Sequence, residues 1–182
     1  MSPLSKIIGL LQIDSTVGDL AGNAERLESL TAIAQANGAQ VAIATELAVC
    51  GYPPRDLLLQ PDFITTSFET AKNLAVEIPV LVGTPIPPDH ERNLPANGVV
   101  RAGVLQAVPN KDNTNRVVAK KQLLPSYDVF DETRYFTPAN RSGICRSIGE
   151  IDLGITICED AWQAAGPVSY THLTLPTIPG VE

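Results

Sequence analysis

The sequence predicts an α/β fold with a mixed sheet, and three observations carry that expectation. Short apolar runs alternate with helical patterns from Lys6 to Thr84, hairpin-like runs follow, and the composition suits a packed core. The chain has 182 residues, 44% hydrophobic and 18% charged, which is a globular rather than a disordered balance.

The elements follow in order. Lys6–Ile13 (KIIGLLQI) reads as a first buried strand. Only Lys6 precedes its apolar run and no small-residue cleavage site follows, so it does not read as a secretory signal. Asn23–Asn37 sets Leu27, Leu30, Ile33 and Ala34 on one helical stripe, and Gly38 supplies a C-terminal stop. Gln40–Leu47 (QVAIATEL) is the second strand. Pro61–Ile78 is a second helix, with Ile64, Phe68, Ala71, Leu74, Ala75 and Ile78 on its apolar face and Pro61 in its first turn. Pro79–Thr84 (PVLVGT) is the third strand. Asn97–Val108 and Ile144–Cys158 read as hairpins with a glycine near each turn.

Charge and composition exclude several classes. The formal net charge is -7, and no basic cluster exceeds the pair Lys120–Lys121. A nucleic-acid partner needs a basic surface to displace counterions, so none is expected. No apolar stretch approaches the roughly 20 residues that span a bilayer, so no membrane partner is expected and the location is read as cytoplasmic. Cys50, Cys145 and Cys158 are an odd set without paired spacing, which argues against a disulfide framework. His90 and His172 stand away from any cysteine at ligand spacing, so no metal site is expected.

The segment from Gly166 to Gly180 continues neither periodicity and carries no charge. Residues 168–182 are expected to be a non-native tail resembling a translated sequencing adaptor, with a native proline-rich linker as the alternative. The expected domain is residues 1–167.

Strand parity then singles out two groups. Side chains alternate along a strand, so Asp152, Gly154, Thr156 and Cys158 share one face, as do Ala42, Ala44 and Glu46. Each strand ends in a reactive group on a face of small residues, the arrangement expected of a nucleophile and its base. Separately the bland readings hold. A strand cysteine is commonly a small hydrophobe, and Lys120 and Lys121 read as solvated charges.

Together the residues match a family. Glu46 lies in TELAVCGYPPRDLLL, Lys121 in KKQLLPSYDVFDETRYF and Cys158 in LGITICEDAW. This Glu, Lys, Cys order resembles the nitrilase or carbon–nitrogen hydrolase superfamily. The wording of the two longer blocks, with VGDLAGNAERL, resembles the N-terminal glutaminase domain of glutamine-dependent NAD⁺ synthetases over about residues 4 to 165.

The resemblance implies a nitrilase-like α-β-β-α sandwich with mixed sheets, here C-terminally truncated. It implies Cys158 as nucleophile, Glu46 as general base, Lys121 as electrostatic partner of the oxyanion, and the Glu159 backbone N–H as second donor. Tyr127 would line the substrate pocket, and Glu132 would assist or bind the substrate amino group. For Glu132 a salt-bridged turn with Asp131 and Arg134 is an equal alternative. Tyr52 and Arg55 are placed at the entrance, while Tyr135 and Phe136 are read as packing. Cys50, in a turn that could be exposed, and Cys145 are rival thiols at no motif position.

A free thiol near pKa 8.5 is only a few per cent thiolate at neutral pH, so it needs a base or a cation. Lys121 is expected to compensate Glu159 and Asp160, which would oppose thiolate formation if they faced it. The implied reaction is hydrolysis of the glutamine side-chain amide to glutamate and ammonia, with no cofactor for that step. A synthetase domain absent from this chain would use ATP and Mg²⁺ to amidate nicotinic acid adenine dinucleotide. Homo-oligomer formation is also expected. The alternatives are a stand-alone amidase or carbamoylase, or an inactive truncated domain.

Overall fold

A computed structural model of the chain describes residues 6–88, 94–102, 117–140, 146–148 and 151–162. The strands are β1 (Ile8–Leu11), β2 (Val41–Ala44), β3 (Val80–Ile86), β4 (Ala96–Ala102), β5 (Val117–Lys120), β6 (Arg146–Ile148) and β7 (Ile151–Leu153). The helices are α1 (Leu20–Ala36), α2 (Pro61–Lys72) and the short α3 (Glu132–Tyr135).

A five-stranded sheet runs β1-β2-β3-β4-β5. Its first three strands are parallel, and β4 and β5 add antiparallel. The α/β expectation with a mixed sheet therefore holds. Parallel neighbours need crossover connections, which α1 and α2 provide.

Both helices cover one face of the sheet. Leu27 and Ala71 close over Ala42, Val80, Val82 and Val100 there. Asp19 caps α1 by accepting the Gly22 N–H at 3.0 Å. At the other end Gly38 takes φ 85°, and the Gly38 and Ala39 amides bond back to Gln35 and Ala34. This is the left-handed stop expected from the glycine. Two helical details differ from the stripe expectation. Ile33 is 59% exposed while Thr31 is buried, its hydroxyl turned onto the Leu27 carbonyl. Helix α2 ends at Lys72, and Leu74 and Ile78 pack from the segment that follows it.

The opposite face is the one that matters for chemistry. Val41, Leu81 and Ala119 on the sheet pack against Ile155 and Ile157. These two follow β7, which pairs with β6 as a separate two-stranded sheet. The hairpin expected in this region is therefore present, and it begins the second β layer of the sandwich. Beyond the reach of that layer the first strand is poorly covered. Leu10 is 74% exposed, so β1 is an edge strand rather than a buried one.

The first expected hairpin, Asn97–Val108, lies in part outside the described residues. Strand β4 runs through to Ala102 with β3 on one edge and β5 on the other. Over Gly98–Val100 both edges are thus occupied, and residues 103–108 lie outside the described residues. Cys145 and residues 168–182 lie outside them as well.

Candidate active site

Both proposed reactive strands end earlier than the sequence suggests. Strand β2 stops at Ala44, and β7 stops at Leu153. Glu46 sits in the turn after β2, where Leu47 takes φ 51°, and Cys158 opens a short 3-10 turn with φ 45°. Positive φ is costly for both side chains and persists only when surrounding structure enforces it. The face lined by Ala42 and Ala44 is not open either, because the helices pack on it. Parity thus singled out two residues that line one cavity, but turns rather than strand ends present them. Beyond β7 the alternation persists in exposure, with Ile155 and Ile157 buried and Gly154, Thr156 and Cys158 exposed.

Contacts to the residues that follow Glu46 hold its turn in place. Ser15 donates to the Ala48 carbonyl at 2.7 Å, and Asn23 donates to the Val49 carbonyl at 2.9 Å. Gly83 lies under the turn. A Cβ there would stand 2.4 Å from the Leu47 nitrogen and 2.8 Å from the Glu46 Cα. Only a hydrogen at this position lets the turn rest on the sheet.

Lys121 follows directly after β5, with no exposed surface. Its Nζ lies 2.9 Å from Glu46 Oε1, and 2.9 and 2.7 Å from the two Glu132 oxygens. A solvated-charge reading of this lysine is therefore excluded. Glu132 is buried at the start of α3 and also accepts the Tyr52 hydroxyl at 3.2 Å. The alternative of a salt-bridged turn fails, because Arg134 turns instead to Asp56 at 3.7 Å.

Burial alone would lower the Lys121 ammonium, but charge and hydrogen bonds from Glu46 and Glu132 outweigh it and raise the group. It stays a cation. Burial pushes Glu132 up, against the pull of Lys121. Burial likewise leads the rise at Tyr52, with Glu132 and Glu46 adding to it.

Cys158 shares a cavity of about 290 Å³ with Glu46, walled by Ile43, Leu81 and Val99. Burial first, then the Glu46 charge, raises its thiol, while Lys121 and the Glu159 backbone N–H pull it down. The carboxylates that oppose Lys121 at the sulfur are Glu46 and Glu132, not the Glu159 and Asp160 side chains of the expectation. The resting sulfur is held as a thiol. Cys50, by contrast, is fully buried rather than exposed, and burial pushes it up to about 12. That rules it out as a reactive rival.

The acidic pair after Cys158 is accounted for. Asp160 accepts the backbone N–H groups of Gln122, at 3.1 Å, and Leu123, at 2.8 Å. It therefore ties the Cys158 turn to the two residues after Lys121. Glu159 accepts the Tyr127 hydroxyl at 2.7 Å. Tyr127 is 56% exposed and lines a neighbouring hollow with Gln122 and Glu159, not the cavity shared by Cys158 and Glu46. Tyr52 and Arg55 line a third hollow with Glu132, separate from the cavity of Cys158 and Glu46. Phe136 packs in the core, and Tyr135 adds a bond to Asp56 at 2.7 Å.

Asn97 escaped the sequence reading. It lies on β4, fully buried, and its Nδ2 donates to Glu46 Oε1 at 2.6 Å. The only available signal was a polar residue opening an otherwise apolar run. Among the described residues no group of acidic, histidine or cysteine side chains forms a metal site.

Residues 7–171 match the family described as carbon-nitrogen hydrolase. A glutamine-dependent NAD(+) synthetase of Synechocystis sp. is 39% identical over 160 residues, covering 86% of this chain and 28% of the relative. Its namesake from Thermotoga maritima is 32% identical over 174 residues, covering 91% and 27%. Among solved structures, a glutamine-dependent NAD+ synthetase from Acinetobacter baumannii aligns with a TM-score of 0.68 at 27% identity, over 85% of this chain and 28% of that one. An amidase of the nitrilase superfamily from Nesterenkonia AN1 aligns with a TM-score of 0.65 at 20% identity, over 84% and 55%, a likeness of fold. The chain spans a little over a quarter of the length of the synthetases it matches.

Proposed function

The chain belongs to the carbon–nitrogen hydrolase family, and from that premise we propose that it hydrolyses the glutamine side-chain amide to glutamate and ammonia. The observation that carries this reading is the buried Lys121 held between Glu46 and Glu132 beside the Cys158 cavity.

Glu46 takes the thiol proton as Cys158 attacks the amide carbon, because the raised thiol supplies little thiolate by itself. The carbonyl π electrons move onto oxygen. Lys121 and the Glu159 backbone N–H stabilise that oxyanion, and losing one such donor typically costs about 10²–10³ in rate. Collapse expels ammonia, which takes the proton back from Glu46. Water then attacks the thioester with Glu46 again as base, releasing glutamate and restoring the thiol. Glu132 keeps Lys121 charged and oriented, and Tyr127 and Tyr52 border the substrate's approach.

The matched synthetases are much longer than this chain, which supports a second domain as consumer of the ammonia. In this proposal that domain uses ATP and Mg²⁺ to amidate nicotinic acid adenine dinucleotide, and the glutaminase step uses no cofactor. Homo-oligomeric assembly and a cytoplasmic location belong to the same proposal. Among the described residues no helix is long and apolar enough to cross a membrane.

The test joins the chain to its synthetase domain and replaces Cys158→Ala. Glutamine-driven NAD⁺ formation should vanish while ammonia-driven formation survives. Retained glutamine-driven synthesis would overturn the proposal.

A further inference from the structure

We propose that Asn97 is a positioning residue for the general base, and that it fixes which oxygen of Glu46 receives the Cys158 proton. This rests on the glutaminase reading of the site for its kinetic consequences, but its structural core does not.

Two donors converge on one oxygen. Asn97 Nδ2 stands 2.6 Å from Glu46 Oε1, and Lys121 Nζ stands 2.9 Å from the same atom. Among the described residues no donor reaches Oε2. An oxygen already accepting two hydrogen bonds is the poorer proton acceptor, so the thiol proton goes to Oε2. The S–H bond breaks, the O–H bond forms there, and the sulfur electron pair forms the bond to the amide carbon.

The orientation of the amide is dictated by its neighbour, since only the NH₂ end can face a carboxylate. Its Oδ1 is then buried with no hydrogen-bond partner. Such an orphan acceptor is disfavoured in a side chain kept for packing alone. Asn97 also accepts the Lys121 backbone N–H on its own carbonyl at 2.8 Å. One residue therefore registers both the base and the cation. Among the described residues, the charged and titratable groups bearing on this cluster are Lys121, Glu132, Tyr52 and Cys158.

The experiment compares wild type, Asn97→Ala, Asn97→Asp and Cys158→Ala in the 182-residue chain. Ammonia release from glutamine is followed against pH, and the Glu46 carboxyl carbon is titrated separately by NMR, which needs no turnover. In Asn97→Ala, kcat should fall about 10- to 100-fold with KM within about threefold, as for an interaction expressed in the transition state. The acidic limb of the kcat/KM profile and the NMR midpoint should both move to higher pH, because the carboxylate has lost a donor. Asn97→Asp preserves shape but buries a charge, so a melt of each variant guards against a folding failure. Asn97→Asp sets a like charge beside Oε1 and should move both further. An unmoved midpoint in both variants would overturn the proposal, as would wild-type kcat in Asn97→Ala. If wild type releases no ammonia beyond Cys158→Ala, the glutaminase reading fails, and the NMR titration still decides the role of Asn97.

Discussion

Lys121 Nζ lies 2.9 Å from Glu46 Oε1 with no part of the lysine exposed, and Glu132 closes on the same ammonium from α3. A buried charge of this kind is kept only by its partners. Replacing Lys121→Met strands two carboxylates against each other and should cost about 3–5 kcal/mol of stability. Glutaminase turnover should drop by about 10²–10³, as for loss of an oxyanion donor. Chemical denaturation beside a glutamine assay reads both. A variant as stable as wild type would contradict the buried-pair account.

Glu46→Gln should move two measurements in opposite directions. After burial, the Glu46 charge is the strongest influence raising the Cys158 thiol. Removing that charge lowers the thiol towards its ordinary range and raises the thiolate fraction at pH 8. Alkylation of Cys158 by iodoacetamide should therefore become several-fold faster at that pH, while glutamine turnover collapses for want of a base. In wild type, alkylation should keep rising with pH beyond the ordinary thiol value. A turnover loss with slower alkylation would point to a damaged site instead.

The seat of the base is open to a steric test. Gly83→Ala puts a methyl carbon 2.4 Å from the Leu47 nitrogen, so the Glu46 turn must lift off the sheet. Overpacking of this sort costs roughly 1–3 kcal/mol. Turnover should fall at least about tenfold even where a melt shows the variant folded, since small misplacements at reacting groups are expensive.

How far these features were legible in the sequence depends on their range. The α1 stop at Gly38, the Pro61 start of α2 and the alternation through Ile155 and Ile157 were readable, because each follows from local backbone preference or period. Glu46, Lys121 and Cys158 were legible through motif wording. Their presentation was not, since strand parity cannot foresee the positive φ at Leu47 and Cys158. Nor could it foresee that Ala42 and Ala44 are small because helices press on them. The Asn97 and Asp160 contacts join residues 51 and 38 positions apart, and no local pattern encodes such pairs.

Asp160 gives a prediction with a built-in control. Its Oδ1 takes both the Gln122 and Leu123 amides. Asp160→Asn keeps that acceptor and should retain turnover within a few-fold. Asp160→Ala removes it, and losing charge-assisted bonds should cost about 1.5–3 kcal/mol. Turnover should also fall, because the Cys158 turn is freed from the Lys121 strand. Equal behaviour of the two variants, by melt and by glutamine assay, would contradict the clamp.

The central claim is that Cys158 is the sulfur that attacks a glutamine amide. Incubating the chain with an electrophilic glutamine analogue, then locating the adduct by peptide mass spectrometry, tests it directly. The account predicts one adduct per chain, on the Cys158 peptide, suppressed by excess glutamine. An adduct on Cys50 or Cys145, with Cys158 left free, would contradict it.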